Sequence, residues 1–149
     1  MTDRLIRLGT LEGVATITLD SPGNRNALSA RLLAELDEAL AAALEDDAVR
    51  VIVLTHEGPA FCSGADLKEP PGPGALPRVL QALWTAPKPV VARIAGHVRA
   101  GGVGLVAACD LAVASRDSTF SFSEVRIGVV PAVISLVVLP RLGMTRALE

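Results

Sequence analysis

The sequence predicts an α/β fold, and three observations carry that prediction. Short β-branched runs such as Val49-Arg50-Val51-Ile52-Val53-Leu54 and Val90-Val91-Ala92-Arg93-Ile94 have the character of strands buried in a parallel sheet. Between them lie stretches with apolar residues at helical spacing, so strands and helices alternate and right-handed strand–helix crossovers follow. The third observation is the make-up of the interior. Half of the 149 residues are apolar, yet only Phe61, Trp84, Phe120 and Phe122 are aromatic, so Val, Ile, Leu and Ala must fill the core. A chain of this length is most simply one domain, residues 1–149, with a substantial core.

At the amino end, Leu5 to Leu8 and Val14 to Leu19 alternate apolar with polar residues around Gly9-Thr10-Leu11-Glu12-Gly13, which predicts a β-hairpin with one buried face. Asp20-Ser21-Pro22-Gly23-Asn24 breaks the chain. Ser29 then caps a helix that carries Leu32, Leu33, Leu36, Leu40, Ala43 and Leu44 on one face and closes at Asp46-Asp47. The run Val49–Leu54 is the next strand, followed by a first glycine turn, Phe61-Cys62-Ser63-Gly64-Ala65-Asp66-Leu67-Lys68, read as a strand end that opens a helix. Pro70-Pro71-Gly72-Pro73-Gly74 excludes helix and central strand and predicts a mobile surface loop. Leu76 to Thr85 has helical spacing, stopped by Ala86-Pro87-Lys88-Pro89. The strand Val90–Ile94 leads to a second glycine turn, Ala100-Gly101-Gly102-Val103-Gly104, then an apolar helix from Leu105 to Cys109 and a strand from Asp110 to Ser115. The order is β-β-α-β-α-β-α-β, without sequence repeats or a domain boundary. Arg141 to Glu149 reads as a helix that has just begun, so the expectation is a piece of a longer protein.

Several function classes are excluded by composition. A net charge of −2 provides no basic field for a phosphate backbone, and the few aromatics give no stacking platform, so nucleic acid is not expected as a partner. The amino terminus lacks the apolar core of a signal peptide, and Ile127 to Leu139 is too short and too interrupted, by Gly128 and Pro131, to span a bilayer. No membrane association and a cytoplasmic location are therefore expected. Cys62 and Cys109 sit in apolar company and read as buried structural thiols rather than a disulfide framework. His56 and His97 have no partner at metal-ligand spacing, so no metal is expected. No G-x-S-x-G elbow supports a serine hydrolase.

The two glycine turns carry the chemistry. One exposed backbone N–H from each could grip a single carbonyl oxygen from two sides, and loss of one such donor typically costs about 10²–10³ in rate. On spacing alone, each turn reads equally well as an ordinary strand–helix connection. Gly102-Val103-Gly104-Leu105-Val106-Ala107 also fits the dinucleotide pattern G-x-G-x-x-A. That fingerprint should follow its strand directly, whereas Gly96 to Gly101 intervene. A proton carrier is needed as well. Glu124 in Thr119-Phe120-Ser121-Phe122-Ser123-Glu124-Val125 is bracketed by apolar side chains, a setting that suits a carboxylate acting as base and then acid. An exposed, idle glutamate is the competing reading.

The blocks Gly23-Asn24-Arg25-Asn26-Ala27-Leu28-Ser29, Val51-Ile52-Val53-Leu54, Ala60-Phe61-Cys62-Ser63-Gly64-Ala65-Asp66-Leu67-Lys68-Glu69, Ala100 to Asp110 and Phe120 to Gly128 together resemble the enoyl-CoA hydratase/isomerase (crotonase) family, over essentially the whole chain. The Ala60–Glu69 block is the most specific of them. The resemblance implies a spiral of repeated ββα units, with the family's C-terminal helical part missing from this sequence. It implies an acyl-CoA thioester substrate, no cofactor beyond the coenzyme A that the substrate carries, and, for a full-length protein, a homo-oligomer, trimer or hexamer. It assigns the oxyanion hole to the backbone N–H groups of Ala65 and Gly101, flanked by Gly64 and Gly102, and the proton chemistry to Glu124. Arg25, Ala27, Ser63, Asp66, Leu67 and Lys68 would line the coenzyme A side.

Two departures from the family pattern matter. Hydratases of the family often place two glutamates around the substrate water, and the first of these falls on Gly104. One carboxylate is a pattern of the family's double-bond isomerases. Yet Glu124 to Ser135 resembles bacterial hydratases of branched acyl-CoA breakdown, which also lack the first carboxylate, and hydration is the expected reaction. A non-catalytic acyl-CoA-binding homologue is the alternative from another class. Gly96-His97 replaces a more usual Asn-Gly or Asp-Gly, which would bring His97 near the site.

Overall fold

The structure, a computed structural model, describes residues 4–147. Its first element is a hairpin of β1 (Ile6–Leu11) and β2 (Val14–Leu19). Only Glu12 and Gly13 form the turn, with φ of 51° and 82°, the left-handed pair whose twist matches that of the flanking strands. Gly9 and Thr10, expected in the loop, pair instead with Thr16 and Ala15. The hairpin does not share one buried face as expected. Ile6 alone is buried in β1, whereas β2 contributes Ala15, Ile17 and Leu19 to the core.

Parallel pairing then builds outward from β2 to β3 (Val51–His56), β5 (Val90–Ile94) and β7 (Leu111–Ala114), giving a sheet in the order β1-β2-β3-β5-β7. A second sheet, all parallel, has the order β4-β6-β8, formed by β4 (Ala60–Cys62), β6 (His97–Arg99) and β8 (Phe120–Ser121). Helices α1 (Ala30–Glu45), α2 (Ala75–Trp84), α3 (Gly101–Ala108) and α4 (Ala132–Leu142) follow successive strand pairs, and α5 (Met144–Ala147) succeeds α4. From β3 onward the first strand of each pair joins the large sheet and the second joins the small one. That is the spiral of ββα units.

The helices form for local reasons. The Ser29 hydroxyl accepts from the Leu32 N–H at 3.1 Å and caps α1, whose Leu32, Leu33, Leu36, Ala39, Leu40 and Ala43 face the core. Val79, Leu80 and Leu83 do the same for α2. Phe61 fills the centre with no exposed surface.

The helix expected to open at Ser63–Asp66 is not there. The Asp66 carboxylate accepts from the N–H groups of Lys68 and Glu69, closing a local turn, and Pro70-Pro71 delays the helix until Ala75. The proline–glycine stretch before it is exposed apart from the half-buried Pro71. The three-residue strands β4 and β6, the two-residue β8 and the helix α4 complete the fold beyond the sequence-based order. Arg141, expected to begin a helix, lies in the last turn of α4, while 148–149 fall outside the described residues.

Candidate active site

The three strands of the small sheet run side by side in the same direction and release their chains at one end. Cys62 pairs with Val98, and Arg99 pairs with Ser121. The first glycine turn follows β4, the second follows β6, and Glu124 comes three residues past the end of β8. Both glycine turns and the segment holding Glu124 thus leave neighbouring strand ends, the usual place for ligands in open parallel sheets.

The first turn is held from its far side by Leu28. Leu28 donates to the Gly64 carbonyl at 2.8 Å and accepts from the Asp66 N–H at 3.1 Å, a parallel bridge centred on Ala65. In such a bridge the central residue's own N–H points away from its partner, so that of Ala65 is directed to the side of β6. The second turn presents Gly101 as the first residue of α3, where the helix leaves its amide groups without intrahelical acceptors. Ala100 just before it has φ of 47°, a strained setting for a residue with a Cβ. Gly64, at φ of 99°, touches it: a Cβ on Gly64 would lie 2.9 Å from the Ala100 Cβ. The two turns are therefore in direct contact.

A cavity of about 520 Å³ opens on them. Ser63, Gly64, Ala65, Leu67, Gly101 and Glu124 all line it, together with Leu28, Arg126 and Ile134. Glu124 opens a short 3₁₀ turn, Glu124–Ile127, closed by Gly128 in a left-handed conformation. Its Oε2 is buried without a hydrogen-bond partner among the described residues. A buried carboxylate oxygen left unpaired is costly unless a ligand or water completes it.

Other residues singled out in the sequence stand outside the cavity lining. Arg25 is exposed, and its carbonyl accepts from the Ser63 N–H at 3.1 Å; Ala27 is buried nearby. Asp66 receives the Asn24 side-chain amide at 3.2 Å, and the Lys68 and Glu69 amide donors hold its carboxyl below the usual carboxylate range. Lys68 is exposed. Gly102 is buried inside α3, where a Cβ would lie 2.6 Å from that of Cys62, and Gly104 is buried in the same helix. These two glycines serve helix packing, not a phosphate-binding turn. His97 is exposed on β6 with Nδ1 2.9 Å from the Thr119 hydroxyl, and it does not line the cavity. Burial pushes both thiols, Cys62 and Cys109, up to about 12, so neither is a nucleophile at neutral pH.

Sequence reading missed the positioning residues. The Asn26 side chain accepts from Ser21 N–H and donates to the carbonyls of Glu57 and Ala60, tying the loop before α1 to the start of β4. Only its place in the asparagine-rich block Asn24-Arg25-Asn26 hinted at this. Leu28 and Ile134 had no local signal at all, since both act through distant contacts.

Comparison with known proteins bears on the family and the fold. The model of the enoyl-CoA hydratase/isomerase family matches residues 9–149. Among curated relatives, 4-chlorobenzoyl coenzyme A dehalogenase-2 of Arthrobacter is 39% identical over 161 residues, a match that takes in 99% of this chain and 58% of the relative. An enoyl-CoA hydratase of Alternaria alternata is 38% identical over 141 residues, covering 91% of this chain and 47% of that protein. An enoyl-CoA hydratase structure from Mycobacterium smegmatis superposes with a TM-score of 0.91 at 37% identity, over 99% of this chain and 62% of the other. One from Mycobacterium avium gives 0.88 at 43% identity, over 99% and 61%. The chain thus spans at most about three-fifths of these relatives. Family model, relatives and fold agree, and the chain belongs to the enoyl-CoA hydratase/isomerase family.

Proposed function

We propose that this chain forms the acyl-CoA-binding core of an enoyl-CoA hydratase, a hydro-lyase that adds water to a 2-enoyl-CoA thioester. One observation carries the reading: two amide-bearing turns in contact with each other and the unpaired Glu124 Oε2 line one largely aliphatic cavity. The N–H groups of Ala65 and Gly101 grip the thioester oxygen. Glu124 holds a water molecule and takes its proton as the new C–O bond forms at the β-carbon, while the C=C electron pair moves toward the gripped oxygen as an enolate. The proton then passes from Glu124 to the α-carbon, and the carboxylate is regenerated. Preorganised amides stabilise the enolate charge, so the step calls for no metal and no redox cofactor. Arg25, Ala27, Ser63, Asp66, Leu67 and Lys68 lie along the coenzyme A side, with Gly64 shaping the first turn and Gly102 packing the helix that follows the second. We further propose a role in fatty acyl breakdown, a cytoplasmic location and, for a full-length protein, a homo-oligomer, trimer or hexamer.

Glu124→Gln is expected to lower turnover of crotonyl-CoA or a branched enoyl-CoA by about 10²-fold or more while acyl-CoA binding persists. Unchanged turnover would remove Glu124 from the mechanism. Oxygen-18 from solvent should appear in the hydroxyacyl product. The presence of glycine rather than glutamate at position 104 favours a second reading, double-bond isomerisation with one base, and conversion of a 3-enoyl-CoA to the conjugated isomer without ¹⁸O uptake would select it. Tight acyl-CoA binding with every enoyl-CoA left unreacted would instead mark a non-catalytic homologue.

A further inference from the structure

Gly104 and Ile134 form a contact that decides what the cavity wall is made of. Gly104 lies in the middle of α3, and a Cβ built there would sit 2.5 Å from Ile134 Cγ2 and 3.0 Å from Ile134 Cβ, with Leu80 Cδ2 at 3.5 Å. Real Cβ atoms do not approach so closely, so α4 rests against α3 only because position 104 has no side chain. Ile134 is 3% exposed and lines the cavity, whereas Gly104 does not. Ile134 therefore stands between Gly104 and the cavity, and a side chain at position 104 would run into the volume that Ile134 occupies.

We propose that Ile134, seated on Gly104, is a specificity-determining residue: its branched side chain seals the α3 side of the cavity with hydrocarbon and sets the width available to the acyl group. This rests on the acyl-CoA reading above. Ile134 and the adjacent Val133 and Ala132 all line the cavity from the first turn of α4. Because no polar atom faces the substrate from position 104 or 134, Glu124 is left to handle the proton without a second carboxylate on that side.

The test is calorimetric binding of butyryl-CoA and 3-methylbutyryl-CoA to the parent chain, Ile134→Val and Ile134→Ala. Ile134→Ala is expected to shift the ratio of the two affinities toward the branched ligand by about tenfold or more, and Ile134→Val to shift it less in the same direction. A purely structural role would weaken both ligands equally. An unchanged ratio with both ligands still bound overturns this inference and leaves the acyl-CoA reading standing. If the parent binds neither ligand, the acyl-CoA reading fails and this inference falls with it. The packing link has its own readout. Gly104→Ala should lower the melting temperature of the parent but cost less in the Ile134→Ala background, where the 2.5 Å clash with Cγ2 is gone and only the tight 3.0 Å approach to the Cβ of residue 134 remains. Additive losses would show that the two residues do not compete for one volume.

Discussion

Gly64 shows how closely the site is fitted around individual atoms. Its φ of 99° is disfavoured for any residue with a side chain, and an added Cβ would press on the Ala100 Cβ at 2.9 Å. Gly64→Ala should destabilise the fold by about 1–3 kcal/mol and depress turnover more than its effect on melting would suggest, because the shift is delivered to both turns. His56 gives a pH dependence. Its Nε2 accepts from the Ala95 N–H at 3.0 Å, its Nδ1 is buried without a partner, and burial lowers its pKa below the ordinary histidine value. The folded state thus prefers the neutral ring. Its contribution to stability is present above the unfolded pKa of about 6.5 and is lost as pH falls through the lower folded value. Melting temperature should fall between about pH 7.5 and pH 5, and His56→Gln, which can still accept the Ala95 bond without titrating in this range, should flatten that decline. At this scale, the meeting of the two glycine turns and Glu124 at one cavity was hinted at by small residues, a local signal, whereas the apolar neighbours of Glu124 (Phe120, Phe122 and Val125) are themselves exposed. Ile134 was not legible, since its meaning depends on a glycine one helix away.

Helices and strands differ in how much of themselves they write into the sequence. α1 carries a cap, a full apolar face and a stop, and every part is local; Ser29→Ala should cost about 1 kcal/mol, seen as a melting shift of roughly 2–4 °C for a chain of this size. β2, β3 and β5 were readable from their β-branched runs. β4, β6 and β8 were not, because two or three residues hold no periodicity and these strands exist only through pairing with one another. The turn at Ser63–Asp66 misled for a related reason. Small residues before an aspartate suit a helix start, but the Asp66 carboxylate spends its hydrogen bonds on Lys68 and Glu69, and the prolines that follow forbid continuation. α4 was hidden within an apolar stretch whose glycine and proline proved to be the break before a helix.

In the whole molecule, among the described residues, the strand β7 closes one side of the large sheet with its outer edge unpaired, and Leu111 and Val113 are 65% and 64% exposed. Phe120, Phe122 and Leu136 add further exposed apolar surface. Uncharged, apolar edge strands invite pairing with other chains. Light scattering should therefore give an apparent mass above that of one chain that rises with concentration, and Val113→Lys should move it toward the monomer. The α/β class and the repeated strand–helix crossovers follow from alternation visible along the chain, whereas the ββα units came only with the family resemblance and the division into two sheets was not visible. The small sheet also acts as a ruler. Adjacent strands are separated by about 4.8 Å, and an oxygen held from both sides by amides about 2.9 Å away needs donors roughly 5 Å apart. Two neighbouring strand ends are spaced by about that span, and a third leads to Glu124. On the proposed reading, the proton-carrying group could therefore be exchanged past one strand end while the other two keep their spacing, so a single scaffold could change its chemistry by rewriting a few residues past β8.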